Sequence, residues 1–120
     1  MFTITKEYHF SASHQLKHLP SDHPCARLHG HNYVVEIILQ SFALNADGFV
    51  RDYRELDILK NYIDTTFDHR HLNDILGDDN VTAEKIAQHF YDWSKSKWPE
   101  VTAARVRETP KTMAEYRPLT

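Results

Sequence analysis

The nine residues "HPCARLHGH" (23–31) hold three histidines and the only cysteine of the chain. His29 and His31 stand two apart. On a strand, such positions share a face and lie about 6.8 Å apart along the chain, so both imidazoles can lean onto one metal ion. Gly30 between them leaves the opposite face open. His14, in "FSASHQL" (10–16), reaches the same place if the two segments pair as a hairpin; His9, His18 and His23 compete with it. Three imidazoles with a fourth position open is the pattern of catalytic zinc. A closed set of four, often including cysteine, marks a structural site. Cys25 has three options: an inert loop thiol, a fourth ligand, or an activated thiol that moves protons.

A second cluster is "FDHRHLND" (67–74). Asp68 and His69 are neighbours, and a carboxylate bonded to an imidazole orients it and raises its basicity, as acid–base chemistry requires. His71 is placed to serve either part. Glu108, in "RVRETPKT" (105–112), falls near a strand end, where a carboxylate can accept paired N–H bonds from an aminopyrimidine ring.

These groups must be held by the elements around them. Phe2, Ile4, Tyr8 and Phe10 alternate with Thr3, Thr5, Glu7 and His9, which predicts a strand over 2–10. Residues 11–28 lose this period and read as a long loop. Residues 31–41 predict a second strand, in which the parity of His31 continues through Tyr33, Val35, Ile37 and Leu39. "NADG" (45–48) is a turn, and "FVR" (49–51) a short return strand. Asp52 is the expected N-cap of a first helix, with Glu55 as its capping-box partner. Leu56, Leu59, Ile63 and Phe67 form that helix's apolar stripe. Thr82 caps a second helix bearing Ala83, Ile86, Ala87, Phe90 and Trp93, and Pro99 ends it. Residues 101–109 and 113–117 predict two closing strands.

The order is ββααββ. Segregated strands and helices predict an α+β fold: a four-stranded antiparallel sheet with two helices on one face. The uncovered face and edges favour oligomerisation. A length of 120 residues fits one domain over 1–120. The net charge of −3 and pI near 6.3 give no basic excess of the kind nucleic-acid binders show. No run approaches the ~18 apolar residues of a membrane span. No signal-peptide pattern follows Met1, and a lone cysteine forms no internal disulfide. The expected location is the cytoplasm.

The ordered set "FSASH", "CARLHGHNY", "DYRELD", "DHRHLND", "VTAEKIA" and "ETPKTMAEYR" resembles the 6-pyruvoyltetrahydropterin synthase / 6-carboxytetrahydropterin synthase family, over nearly the whole chain. The resemblance implies the tunnelling (T-) fold in an oligomeric barrel, with a hexamer expected and the pterin pocket between subunits. It implies a zinc (Zn2+) triad of His14, His29 and His31, a catalytic Cys25, a catalytic Asp68–His69 pair and a pterin-anchoring Glu108. Arg27 is the candidate for meeting a substrate triphosphate. Three residues separate Cys25 from His29, which is similar to the bacterial branch of queuosine (7-deazaguanine) biosynthesis. That branch converts 7,8-dihydroneopterin triphosphate to 6-carboxy-5,6,7,8-tetrahydropterin, acetaldehyde and triphosphate. Two alternatives stand beside it: the pyruvoyl-forming activity, and a non-catalytic zinc module with Cys25 closing the site. "SASH" and Met113 depart from the family's usual stretches, which leaves room for a shifted substrate preference.

Overall fold

The computed structural model describes residues 1–119. Strand β1 (Phe2–His14) pairs antiparallel with β2 (His29–Ser41) from Phe2↔Ser41 to His14↔His29. Helix α1 (Asp57–Thr66), the short β3 (Arg70–His71), α2 (Leu72–Leu76) and α3 (Ala83–Lys97) follow, then β4 (Val101–Arg107) and β5 (Ala114–Tyr116). The sheet has five strands in the order β3-β1-β2-β4-β5. Only β3 runs parallel to its neighbour, pairing with Ala12 and Ser13 of β1.

The α+β architecture agrees with expectation, but several details differ. The first strand continues four residues beyond the predicted end. Ser11 and Ser13 carry no hydrophobic signal, yet backbone pairing with Asn32 and Gly30 carries the ladder on to His14. The predicted return strand at 49–51 is a loop. Asn45 closes it, its Oδ1 accepting from the amides of Asp47 and Phe49 at 2.9 and 3.0 Å, as asparagine does in turns. The two-residue β3 and five-residue α2 were not foreseen; both are too short to show a period. Gly77 ends α2 with φ 61°, a left-handed conformation that costs glycine little.

Asp52 does cap, accepting from the Arg54 amide at 2.9 Å, but it opens a 3-10 turn (Tyr53–Leu56) ahead of α1. The reciprocal half of the capping box is missing: the Glu55 carboxylate pairs with Arg51 at 2.6 Å instead. Thr82 caps α3 as predicted, its hydroxyl accepting from the Lys85 amide.

One face of the sheet is apolar. Tyr8, Phe10, Tyr33, Val35, Ile37, Leu39, Ala104 and Val106 meet Leu56, Leu59, Ile63, Phe67, Ile86 and Phe90 from the helices. The opposite face is charged. Arg105 bridges Glu36 and Glu115 at 3.1 and 2.7 Å, and Arg107 lies 3.7 Å from Glu7. Beyond β3, the outer edge of β1 has no strand beside it among the described residues.

Between α1 and α3, the Tyr62 hydroxyl and His89 Nε2 share a hydrogen bond of 2.8 Å, while the Tyr62 ring stacks on Trp93 at 4.6 Å. Burial pushes the His89 pKa down, against a smaller upward pull from Asp92. His89 is therefore neutral when folded and protonates more readily when unfolded. Its contribution to stability is complete above the unfolded pKa of about 6.5 and is lost as pH falls toward the folded value. His89→Gln should flatten this part of the stability–pH curve, read by urea denaturation between pH 7.5 and 5. An unchanged slope would show that the imidazole is not the group being titrated. Phe67 is fully buried, edge-on to Phe10 and 4.9 Å from Phe90. Phe67→Ala should cost about 3–5 kcal/mol by the same measurement.

Candidate functional site

The β1–β2 register assembles the histidines. His14 lies opposite His29, and His31 opposite Ala12, two residues back. All three point to the apolar parity of the sheet, at the end where the core opens. Their ligating nitrogens lie within 4.8 Å of one another, and their ring centroids are 4.4–5.1 Å apart. His14 is 1% exposed.

The second hydrogen bonds of the rings set their tautomers. His14 Nδ1 donates to the Val81 carbonyl at 2.8 Å, and His29 Nδ1 to the Arg27 carbonyl at 2.6 Å. Each Nε2 is left with a free lone pair, as second-sphere carbonyls do for metal-bound imidazoles. Burial holds the His14 pKa below its ordinary value, outweighing the Val81 bond and the nearby Glu108 charge. His14 is therefore neutral, the protonation state a metal requires. The Nε2 atoms of His14 and His31 are buried without a hydrogen-bond partner. Such orphans are costly in a native interior. Three convergent imidazoles, two of them with buried, unpartnered Nε2 atoms, fit a divalent metal, and zinc suits imidazole donors.

The competitors fall away. His9 is exposed on the polar parity of β1, and His18 and His23 are exposed in the loop. His23 Nδ1 instead accepts the Cys25 amide at 3.0 Å and caps the 3-10 turn Pro24–Ala26. Cys25 is a partly exposed free thiol outside the group of converging metal ligands. Among the described residues, three histidines could thus hold a metal, and Cys25 is not grouped with them.

Glu108 follows β4 directly. Its Oε2 lies 3.6 Å from His31 Nε2, too long for a hydrogen bond. It borders a cleft of about 390 Å³ with Leu16, Thr82, Val106, Met113 and Ala114. Tyr33 was foreseen only as part of the apolar face. Its ring packs edge-on to His14 and His31, and its buried hydroxyl has no partner. Burial, with Glu108 adding, pushes its pKa far up, so it remains a neutral donor.

Asp68 and His69 form the expected pair, His69 Nδ1 donating to Asp68 Oδ2 at 3.0 Å. Asp68 Oδ1 accepts the Ser11 amide at 2.9 Å, and the His69 amide donates to the Ser11 carbonyl at 2.6 Å. The Ser11 bond, then His69, lowers the Asp68 pKa. His69 has φ 60°, an uncommon conformation for a residue with a Cβ. The result is an imidazole 81% exposed. It lines a cleft of about 500 Å³ with Ser11, Ser13, Gly30, His31, Asn32 and Arg70. Of the β1 and β2 residues lining it, Ser11, Ser13, Gly30 and Asn32 have the parity opposite to the three clustered histidines, while Ala12 and His31 share it. His71 lines the cleft as well, its Nδ1 3.0 Å from Ser13 Oγ. Arg27 is exposed beside His29.

A family model described as 6-pyruvoyl tetrahydropterin synthase matches residues 3–119. The chain belongs to that family. It is 32% identical to the 6-carboxy-5,6,7,8-tetrahydropterin synthase of Bacillus subtilis, over 98% of this chain and 86% of that protein. It is 34% identical to the protein of the same name from Synechocystis, over 97% and 93%. The structure of Caenorhabditis elegans 6-pyruvoyl tetrahydropterin synthase superposes with a TM-score of 0.85 at 26% identity, covering 98% of this chain and 95% of that one. The three-histidine cluster of this family member is open to a direct test. His29→Ala should lower bound metal from about one per chain to below a tenth of that, read by elemental analysis, while His23→Ala retains it. Equal metal content in both variants would displace the cluster as the metal site.

Proposed function

We infer that the chain is a zinc-dependent lyase that converts 7,8-dihydroneopterin triphosphate and one water to 6-carboxy-5,6,7,8-tetrahydropterin, acetaldehyde and triphosphate. The observation that carries this is the carboxylate of Glu108 set 3.6 Å from His31, in a cleft with apolar lining. That cleft suits a flat aminopyrimidine: Leu16, Val106 and Met113 contact the ring faces, and Glu108 accepts its paired N–H groups. Two relatives that carry the carboxy-forming name, and the three-residue gap between Cys25 and His29, favour this product. The likeness to a 6-pyruvoyl tetrahydropterin synthase structure supports the pyruvoyl-forming activity as the second reading.

The substrate's three-carbon side chain becomes a one-carbon carboxyl and a two-carbon aldehyde, so the bond between its first and second carbons breaks. The ring is reduced as the first carbon is oxidised, through a series of proton transfers. His14, His29 and His31 would hold the zinc, which when bound would supply Lewis-acid polarisation of a side-chain hydroxyl. Glu108 fixes the ring, which turns orientation into rate. Cys25 is the acid–base group on the metal side. His69, its Nδ1 committed to Asp68, offers Nε2 as the second. In this reading the exposed His69 serves the site through association with a second copy, which brings its Asp68–His69 pair to it. The bare outer edge of β1 and the charged sheet face are the surfaces available for that association. Arg27 and the basic residues near His69 are placed to meet the triphosphate. The place of this product in 7-deazaguanine synthesis and a cytoplasmic location belong to the same reading.

Metal-loaded protein given 7,8-dihydroneopterin triphosphate should yield the carboxylated product by mass spectrometry, with trapped acetaldehyde. Cys25→Ala should keep its metal and lose about 10²–10⁴-fold in kcat. A pyruvoyl product would select the second reading, and loss of metal from Cys25→Ala would return Cys25 to the role of ligand.

A further inference from the structure

The connection between β1 and β2 carries Cys25 across residues 15–28, and its anchoring starts one residue after a metal ligand. The parallel register Ala12↔Arg70 and Ser13↔His71, extended by two, places Gln15 opposite Asn73. By then the backbone has turned into α2, and the Asn73 side chain continues the ladder in its place. Asn73 Oδ1 accepts the Gln15 amide at 2.9 Å, and Nδ2 donates to the Gln15 carbonyl at 2.8 Å. Asn73 is 6% exposed. One buried carboxamide thus satisfies both backbone groups of one residue, and losing it would leave buried polar groups unpaired.

Gln15 passes this anchoring on. Its Nε2 donates to the Ala26 carbonyl at 2.9 Å, and the next residue's amide, Leu16 N–H, donates to the Cys25 carbonyl at 3.0 Å. The thiol-bearing turn is therefore tied to the residues directly following His14. The opposite end of the turn depends on His23, whose bond to the Cys25 amide is exposed and competes with water. The Gln15 bond is part-buried, so it is the tie that resists solvent.

We propose that Gln15 and Asn73 are positioning residues that set the placement of Cys25 relative to the three-histidine metal cluster. This rests on the catalytic reading of Cys25. The alternative is that they only close the loop and contribute to stability. A displacement of about 1 Å at a reacting group can cost about 10²-fold in rate, whereas loop closure alone predicts an unaltered kcat in the folded protein.

The test compares Gln15→Met, which removes the donor at nearly constant volume, with Asn73→Leu and the double variant, all metal-loaded. Gln15→Met should lower kcat about 10–100-fold, with KM within about threefold and metal content unchanged. Because the chain has one cysteine, N-ethylmaleimide labelling followed by mass spectrometry reports on Cys25 alone. Its rate in Gln15→Met should change at least about threefold, a readout that needs no turnover. The double variant should be no worse than the poorer single one, because the two act in series. If Asn73→Leu does not fold, Gln15→Met decides. A kcat and a labelling rate both within twofold of wild type in folded Gln15→Met would overturn the proposal. If Cys25→Ala retains full turnover, the catalytic reading fails on its own, and the labelling rate still decides whether Gln15 places the thiol.

Discussion

The site depends first on the register of β1 against β2. A one-residue slip in an antiparallel pair sends every side chain to the other face. Here it would turn His14 toward the charged side of the sheet while His29 and His31 stayed on the apolar side. The register is held by the long apolar face: Tyr8 beside Val35, Phe10 beside Tyr33, and both packed under the helices. The same hydrophobic burial that stabilises the domain core therefore aligns three imidazoles at its end. Gly30 belongs to this arrangement, since a Cβ there would come within 3.3 Å of the Ala12 carbonyl oxygen.

Around that alignment, backbone carbonyls do much of the electrostatic work. Val81 and Arg27 each take the Nδ1 proton of one histidine and leave its Nε2 directed at the shared point. Val81 precedes the cap of α3, and Arg27 ends the turn bearing Cys25, so distant segments converge on one ligand set. The buried Tyr33 ring packs edge-on against His14 and His31. Low polarity there keeps His14 neutral and makes the unpartnered nitrogens costly unless a metal occupies the point between them.

The two faces of the sheet have different roles. The apolar face buries the core and opens onto the metal cluster and Glu108. The polar face carries Glu7, Glu36, Arg105 and Arg107 in ion pairs and, at its far end, the exposed His69.

The sequence by itself determined the α+β class, the main strands, the two long helices and the identities of the chemical groups. Those depend on local period and residue type: alternation in "FTITKEYHF", helical spacing from Leu56 to Phe67, and histidines two apart around Gly30. It did not determine how far β1 runs, because Ser11 and Ser13 carry no apolar signal and only cross-strand pairing extends the ladder to His14. It missed β3 and α2, which take their stability from β1 and the core. It favoured His14 over His9, on the polar parity of the first strand, and over His18 and His23, in the loop; what it could not supply was burial, which sets His14 apart only once β1 lies against β2. The capping role of His23, the redirection of Glu55 to Arg51, and the outward turn of His69 were decided by the tertiary structure for the same reason. Each depends on a partner or a backbone constraint that residue type and spacing do not encode.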